Sequence, residues 1–356
     1  MSGPAGERMS LADSFRRLIA NTGPISLTHY MAEANARYYA KADPLGQGGD
    51  FVTAPEISQM FGELIGLWLA DMWLRAGRAE PVLYVELGPG RGTLAKDALR
   101  AGKRYGFEPE VHLVEASHTL RKVQEDAVPG AVWHADLSTV PQDAPMLLVA
   151  NEFLDALPVR QLVRAAEGWR ERMVGLEGED FVFVAGRQPM DEAVPREWRD
   201  AAQGTLLETS PACAAVTYEI AGRLAEQGGA ALVIDYGSTE LRAGSTLQAV
   251  RAHRKVDPFA SPGEADLTAH VDFATLARIA EARGVKHLGT TTQGRWLRAL
   301  GIDARAQGLA ARAPHYAAEV ETARHRLVAD DQMGQLFKVM ALAAPGWPDG
   351  VGFEEV

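Results

Sequence analysis

Two stretches, residues 10–20 and 26–38, repeat apolar side chains at helical spacing and are separated by Thr22-Gly23-Pro24, a run that breaks a helix. A polar loop, residues 41–50, follows. Thr53-Ala54-Pro55-Glu56 then has the Thr-x-x-Glu spacing of a capping box, with proline close to the first turn, and predicts a helix running to about residue 76. Ile57, Met60, Phe61, Leu64, Ile65, Trp68 and Met72 recur along it at helical spacing, while Leu67, Leu69 and Trp73 widen the stripe. Such a helix should be covered on most sides.

From Pro81 the pattern changes to short apolar runs alternating with helices, as in a parallel sheet with crossover helices. Strands are expected at 82–87, 111–114, 131–133, 146–150 and 230–235. Residues 159–183 break the rhythm with β-rich pieces around Glu167-Gly168 and Glu177-Gly178, which predicts antiparallel hairpins added to the core. Residues 237–270 form a polar stretch longer than an ordinary connection. Asp272 then caps an expected helix over 273–283 that stops at Gly284, and strands near 285–288 and 335–342 complete the sheet. The expected organisation is an N-terminal helical extension with a lid (1–78), the first part of an α/β core (79–158), a β-hairpin insertion (159–207), the remainder of the core (208–345) interrupted by a loop insertion (237–271), and a tail (346–356).

Composition narrows the function. With 356 residues, 47% hydrophobic and 23% charged, the chain has the makeup of a folded globular protein. A formal net charge of -11 argues against sequence-independent nucleic-acid binding, which needs clustered Lys and Arg, and favours a basic segment on a protein partner. The single cysteine, Cys213, allows no internal disulfide and no thiolate metal cluster, and fits a reducing compartment. Residues 1–8 lack the apolar run of a secretory signal, and the most apolar stretch, residues 64–74, is interrupted by Asp71 and shorter than the ~20 residues a bilayer span needs. No membrane insertion and a cytoplasmic location are expected.

The strongest local feature is Glu86-Leu87-Gly88-Pro89-Gly90-Arg91-Gly92-Thr93, between an apolar strand and a helix. Glycines allow backbone to approach a ligand, and a helix N-terminus offers unpaired N–H groups with positive potential, so the unit suits a polar cofactor. A dinucleotide fingerprint spaces its glycines Gly-x-Gly-x-x-Gly to seat a pyrophosphate; here they alternate, and Glu86 precedes them. That spacing weighs against a nicotinamide oxidoreductase. An acid beside exposed N–H groups complements the ammonium and carboxylate of S-adenosylmethionine, which carries no phosphate. Glu86, Gly88, Pro89, Gly90, Gly92 and Thr93 are accordingly candidate cofactor contacts. Glu115, ending the second strand, is either an acceptor for two ribose hydroxyls or a solvated strand-end acid. Asp136, after the third strand, either addresses the adenine amino group or is a turn residue capping a short helix.

The fourth strand ends in Val149-Ala150-Asn151-Glu152-Phe153-Leu154-Asp155, at the sheet edge where ligands bind. Asn151 is a candidate cofactor contact, and Glu152 and Asp155 are candidate catalytic acids. Carboxylates there suit a cationic acceptor, because a guanidinium can be held bidentately with one nitrogen left nucleophilic. A structural hydrogen-bonding role is the alternative for both acids.

Taken with Gly23-Pro24-Ile25-Ser26, the run from Gly49 to Ser58, Phe61-Gly62-Glu63-Leu64, the run from Asn151 to Val159, Ile234-Asp235-Tyr236-Gly237, Leu247-Gln248-Ala249-Val250-Arg251, the run from Asp266 to Phe273 and the run from Met333 to Val339, these motifs make nearly the whole chain resemble the MidA methyltransferase family. The resemblance implies a class I methyltransferase fold, a Rossmann-like, seven-stranded and mostly parallel sheet, with S-adenosyl-L-methionine as cofactor, S-adenosyl-L-homocysteine as product and no metal. Mitochondrial members serve respiratory complex I assembly, which implies symmetric dimethylation of an arginine on a 49 kDa-type complex I subunit. The expected partner is therefore a protein segment with an exposed Arg. The resemblance also makes Gly49, Asp50, Phe51 and Thr53 a candidate lid over the cofactor, and His270 a candidate to hydrogen-bond the acceptor or move a proton. Two alternatives stay open: a non-catalytic assembly factor that binds the cofactor only to set its conformation, and a methyltransferase for another small-molecule or protein acceptor. The sequence leaves the oligomeric state unread.

Overall fold

The computed structural model describes residues 9–40 and 52–354, and the chain divides into two compact units. One comprises Ala42–Asp155, Cys213–Leu241 and His270–Val356; the other comprises Met1–Lys41, Ala156–Ala212 and Arg242–Ala269.

The main path of the first unit's sheet is built from β1 (Leu83–Leu87), β2 (Glu110–Val114), β3 (Val132–His134), β4 (Met146–Asn151), β5 (Gly229–Ser238), β6 (Lys286–Thr292) and β7 (Phe337–Ala343), in the spatial order β3-β2-β1-β4-β5-β7-β6. β1 to β5 run parallel, and β7 runs antiparallel to both β5 and β6. A two-residue strand, Val271–Asp272, lies parallel beside Gly237 and Ser238 at the end of β5. Every residue of β1 and β4 is buried, as expected of central strands covered on both faces. The order reverses between β1 and β4, which opens a crevice at their carboxyl ends. Both the glycine loop and Asn151 emerge there.

The helices of this unit include α1 (Gln59–Arg75), α2 (Thr93–Gly102), α3 (His118–Ala127), α4 (Pro211–Gln227, which begins in the other unit) and α5 (Phe273–Ala282). Asp272 caps α5 as expected, accepting from the Thr275 N–H at 3.1 Å. The single helix expected from 53 to 76 is two. Ala54–Ile57 forms one turn, Ser58 is extended, and α1 starts afresh with Ser58 accepting the Met60 N–H at 3.2 Å. The expected capping box is absent: Thr53 makes no side-chain cap bond, and Glu56 accepts instead from the Thr93 hydroxyl at the start of α2. α1 is covered on most sides, and its Gly66 lets α2 approach so closely that a Cβ there would lie 2.1 Å from the Ala98 carbonyl oxygen. Residues 289–334, unassigned from the sequence, add to β6 the helices α6 (Gln293–Ala299), α7 (Ile302–Arg312) and α8 (Ala317–Val328). The segment expected to be a tail packs on the core through Trp347 and Phe353, with Trp68 Nε1 donating to the Val351 carbonyl at 3.2 Å. No helix among the described residues is long and apolar enough to cross a membrane.

In the second unit, Ser10 and Ser26 cap the helices Leu11–Thr22 and Leu27–Tyr39. Strands Arg160–Ala165, Gly168–Glu177, Asp180–Pro189 and Leu206–Thr209 form the expected antiparallel hairpins and one further strand, with Ile25–Ser26 pairing on Val174 and Met173. The loop insertion is ordered into a hairpin, Gln248–Arg251 with Arg254–Val256, flanked by Asp266–Thr268. Phe15, Tyr30, Phe181 and Phe259 form its aromatic core. Buried Asn35 joins two stretches of chain, donating to the Ala156 and Leu267 carbonyls and accepting the Leu267 N–H at 3.0 Å.

Candidate active site

The loop after β1 is shaped by three glycines at positive φ, Gly88 (60°), Gly90 (55°) and Gly92 (78°). Gly88 has a second constraint, since a Cβ would come within 2.8 Å of the Phe153 ring. The Gly92 N–H closes a turn on the Pro89 carbonyl at 2.8 Å, and α2 begins at Thr93 after Gly92, an N-cap residue with no side chain to offer the first-turn N–H groups.

Glu86 serves this loop from below. It is only 3% exposed; the Tyr84 hydroxyl donates to it at 2.5 Å, and the Ala95 N–H in the first turn of α2 bonds it as well. Burial pushes its carboxyl up to about 8, against the pull of those two donors. These bonds pin the start of α2 to the strand.

Glu115, half-buried at the end of β2, accepts from the Ser117 N–H at 2.7 Å and the Gln124 amide at 3.3 Å, and burial raises its carboxyl above the usual range. Gln124, fully buried on α3, also donates to the Gly90 carbonyl at 2.7 Å and accepts from Trp133 Nε1 at 2.8 Å. One amide therefore ties the glycine loop, the β2 acid and β3 together. Sequence reasoning passed over it; the signal was a polar residue sharing the buried face of α3 with Leu120. Asp136 is exposed and caps the short turn Leu137–Thr139, accepting the Ser138 N–H at 2.9 Å; the Ser138 side chain, and after it that N–H, hold its carboxyl below the usual range.

At the end of β4, Glu152 takes a left-handed φ of 49°, a strained value for a side chain of this kind that recurs at functional sites. Its N–H still pairs with the Ile234 carbonyl at 2.8 Å, and its Oε1 accepts from the Ala54 N–H at 3.0 Å and Asn151 Nδ2 at 3.2 Å. Oε2 receives no hydrogen bond among the described residues. Burial, and after the opposing Ala54 N–H the neighbouring Asp155, push the Glu152 carboxyl up to about 7. Asn151 is buried, and its Oδ1 has no hydrogen-bond partner among the described residues. Asp235, fully buried at the end of β5, accepts the Leu154 and Asp155 N–H groups on one oxygen, at 3.0 and 3.1 Å, and the Tyr236 N–H on the other at 2.9 Å. Burial and the carboxyls of Asp155 and Glu152 push Asp235 well above the usual range.

The short helix Ala54–Ile57 touches both sides of the crevice, through Glu56 to Thr93 and through the Ala54 N–H to Glu152. Thr53 precedes it, half-buried, while Gly49, Asp50 and Phe51 lie outside the described residues. His270 is exposed beside the Tyr236 ring, with centroids 5.4 Å apart, and Tyr236 in turn meets Phe337. No cluster of three or more potential metal ligands occurs among the described residues.

These features fit a cofactor with an amino acid head and a nucleoside. The first turn of α2 offers N–H donors to a carboxylate, Asn151 Oδ1 is a buried acceptor with no donor among the described residues, and Glu115 can accept from a pair of hydroxyls. A parallel sheet in this order with its antiparallel β7, an alternate-glycine loop after β1 and acids at the β4 edge define a class I S-adenosylmethionine-dependent methyltransferase. The chain belongs to the family described as "Putative S-adenosyl-L-methionine-dependent methyltransferase", matched over residues 64–291. It is 35% identical to the mitochondrial protein arginine methyltransferase NDUFAF7 of Danio rerio, over 91% of this chain and 84% of that protein, and 34% identical to the Homo sapiens protein of that name, over 91% and 81%. A Burkholderia thailandensis crystal structure bound to S-adenosyl-homocysteine superposes with a TM-score of 0.84, at 31% identity, over 96% of this chain and 93% of that one. S-adenosylmethionine is the cofactor and S-adenosylhomocysteine the product.

Proposed function

We propose that this chain is a protein arginine N-methyltransferase whose acceptor is an exposed Arg on a 49 kDa-type subunit of respiratory complex I, and that it works in a reducing, cytoplasmic compartment. The observation that carries the acceptor reading is the concentration of carboxyls at the ends of β4 and β5, with Glu152 Oε2 unclaimed by protein donors among the described residues. Such an edge favours a cation, and a guanidinium is a cation that carboxylates hold in a fixed plane. The names of the relatives support the same acceptor chemistry.

Bound S-adenosylmethionine supplies a methyl group already activated on a sulfonium. The protein's task is then mainly to align the acceptor nitrogen with that methyl and to exclude water. Gly88, Pro89, Gly90, Gly92 and Thr93 present the loop backbone and first-turn N–H groups to the amino acid head, with Asn151 as an acceptor; Glu86 supports them from beneath. Glu115 holds the ribose, and Asp136 stands at the adenine side. Thr53, the described end of the candidate lid, borders the cofactor. Glu152 orients the guanidinium, Asp155 supports it, and His270 receives the proton released as the nitrogen is alkylated.

Mass spectrometry of the 49 kDa-type subunit, from cells with and without this protein, tests the assignment. A methylarginine present only in the first supports it. Identical methylation in both would sink this acceptor while leaving fold and cofactor untouched.

A further inference from the structure

We propose that Asp235 is a positioning residue for methyl transfer: its carboxyl clamps the turn that carries Glu152 and so sets where the acceptor edge stands. The assignment of that edge rests on the function proposed above, whereas the clamp does not.

The argument starts from hydrogen-bonding needs. β4 and β5 pair in register up to Asn151 opposite Ile234, and the Glu152 N–H adds one more rung on the Ile234 carbonyl. At Glu152 the chain turns away with φ 49°, so the next N–H groups lose any strand partner. Those of Leu154 and Asp155 converge on one oxygen of Asp235, while its other oxygen takes the Tyr236 N–H. Both oxygens must accept, which a carboxylate does and an amide cannot. Asparagine would turn its NH2 group toward at least one N–H donor. The Leu154 carbonyl is held separately by the Cys213 thiol at 3.2 Å, so the turn is fixed on both polar sides.

The ionisable groups acting on Glu152 are Asp155, on its own turn, and Arg326 on α8, which favours the charged form; Asp155 and Glu152 in turn raise Asp235. His270 and Tyr236 stand beyond the end of β5. Without a cation, these carboxyls retain a proton among them; a guanidinium would displace it.

The test uses the full chain bound to S-adenosylhomocysteine. In Asp235→Asn, exchange of the Leu154, Asp155 or Tyr236 amide left facing the new NH2 group should accelerate about 100-fold, and kcat for methylation of an arginine peptide should fall while KM for S-adenosylmethionine changes little. S-adenosylhomocysteine affinity should stay within about twofold, because the loop that binds it is separate from the clamp. In the charge-retaining Asp235→Glu, amide exchange at Leu154 and Asp155 should accelerate about 100-fold, and methylation of an arginine peptide should fall by a similar factor. Native exchange protection at all three amides in Asp235→Asn, or at Leu154 and Asp155 in Asp235→Glu, would overturn the proposal; the second result decides alone if Asp235→Asn does not fold. Failure of the native protein to methylate arginine peptides would instead tell against the proposed acceptor, because exchange is read without it.

Discussion

Glu86 lies beneath the cofactor loop in a setting that keeps it protonated, and the stability of the fold should carry its signature. Its carboxyl titrates near 4.5 when unfolded and is pushed up to about 8 in the native state, chiefly by burial. Between those values the native state binds more protons than the unfolded state, so stability from this group is fully present below pH 4.5 and is lost as pH rises toward 8. At about 1.4 kcal/mol per unit, the rise from pH 4.5 to 7 removes about 3 kcal/mol, and the loss levels off near 5 kcal/mol above pH 8. Glu86→Gln keeps the shape without an ionisable group. The difference between native and variant unfolding free energies, measured by urea denaturation at intervals from pH 5 to 9, should therefore change by several kcal/mol in favour of the variant as pH increases. A constant difference across that range would refute the reasoning. The same variant separates the two roles considered for Glu86: as a neutral support its loss should alter S-adenosylhomocysteine affinity little, whereas loss of an ionised ammonium partner would cost about 1.5–3 kcal/mol, or roughly tenfold to a hundredfold in affinity.

Three further outcomes are expected. With the Glu152 carboxyl at about 7, kcat/KM for a cationic acceptor should rise about tenfold from pH 6 to pH 8 as the carboxylate fraction grows, and Glu152→Gln should be slow with that limb missing; a pH-independent native rate measured with labelled cofactor would count against the role. Gly88→Ala must place a methyl 2.8 Å from the Phe153 ring at φ 60°, which should cost about 1–3 kcal/mol in stability and weaken S-adenosylhomocysteine binding by calorimetry; native affinity would show that the loop tolerates the Cβ. Glu56→Gln and Thr93→Val should each lower cofactor affinity but combine non-additively, with an interaction energy of about 1–2 kcal/mol in a double-mutant cycle; simple additivity would mean that their hydrogen bond does not hold the loop.

Much of the parallel sheet was legible because its strands are buried on both faces and read as uninterrupted apolar runs; β1 and β4 lie within a residue of expectation. The short, less periodic α6 to α8 were not legible. Nor was the break at Ser58: Thr53 and Glu56 have capping-box spacing, yet Glu56 finds Thr93, and local pattern cannot announce a distant partner. The same limit hid Gln124 and Asp235, whose roles consist of bonds to chain segments far away in sequence. Glu86 was visible as part of a motif, but which way its carboxyl faces depends on Tyr84 and the first turn of α2. The N-terminal helices, the hairpins and the loop insertion read as separate decorations, because only tertiary contacts reveal that they form a single unit.

That interleaving has a consequence for synthesis. Tyr30 closes its hydrogen bond on Pro258, 228 residues further along the chain, and its ring packs on Phe259. At about 5–20 residues per second, the helices Leu11–Thr22 and Leu27–Tyr39 wait about 10–45 s on the ribosome before that cover emerges. During that interval Phe15, Tyr30 and Met31 have no complete native core to join, so the emerging N-terminus is a substrate for holding chaperones. Slow translation upstream of Pro258 should lower the yield of folded protein without changing a single native contact.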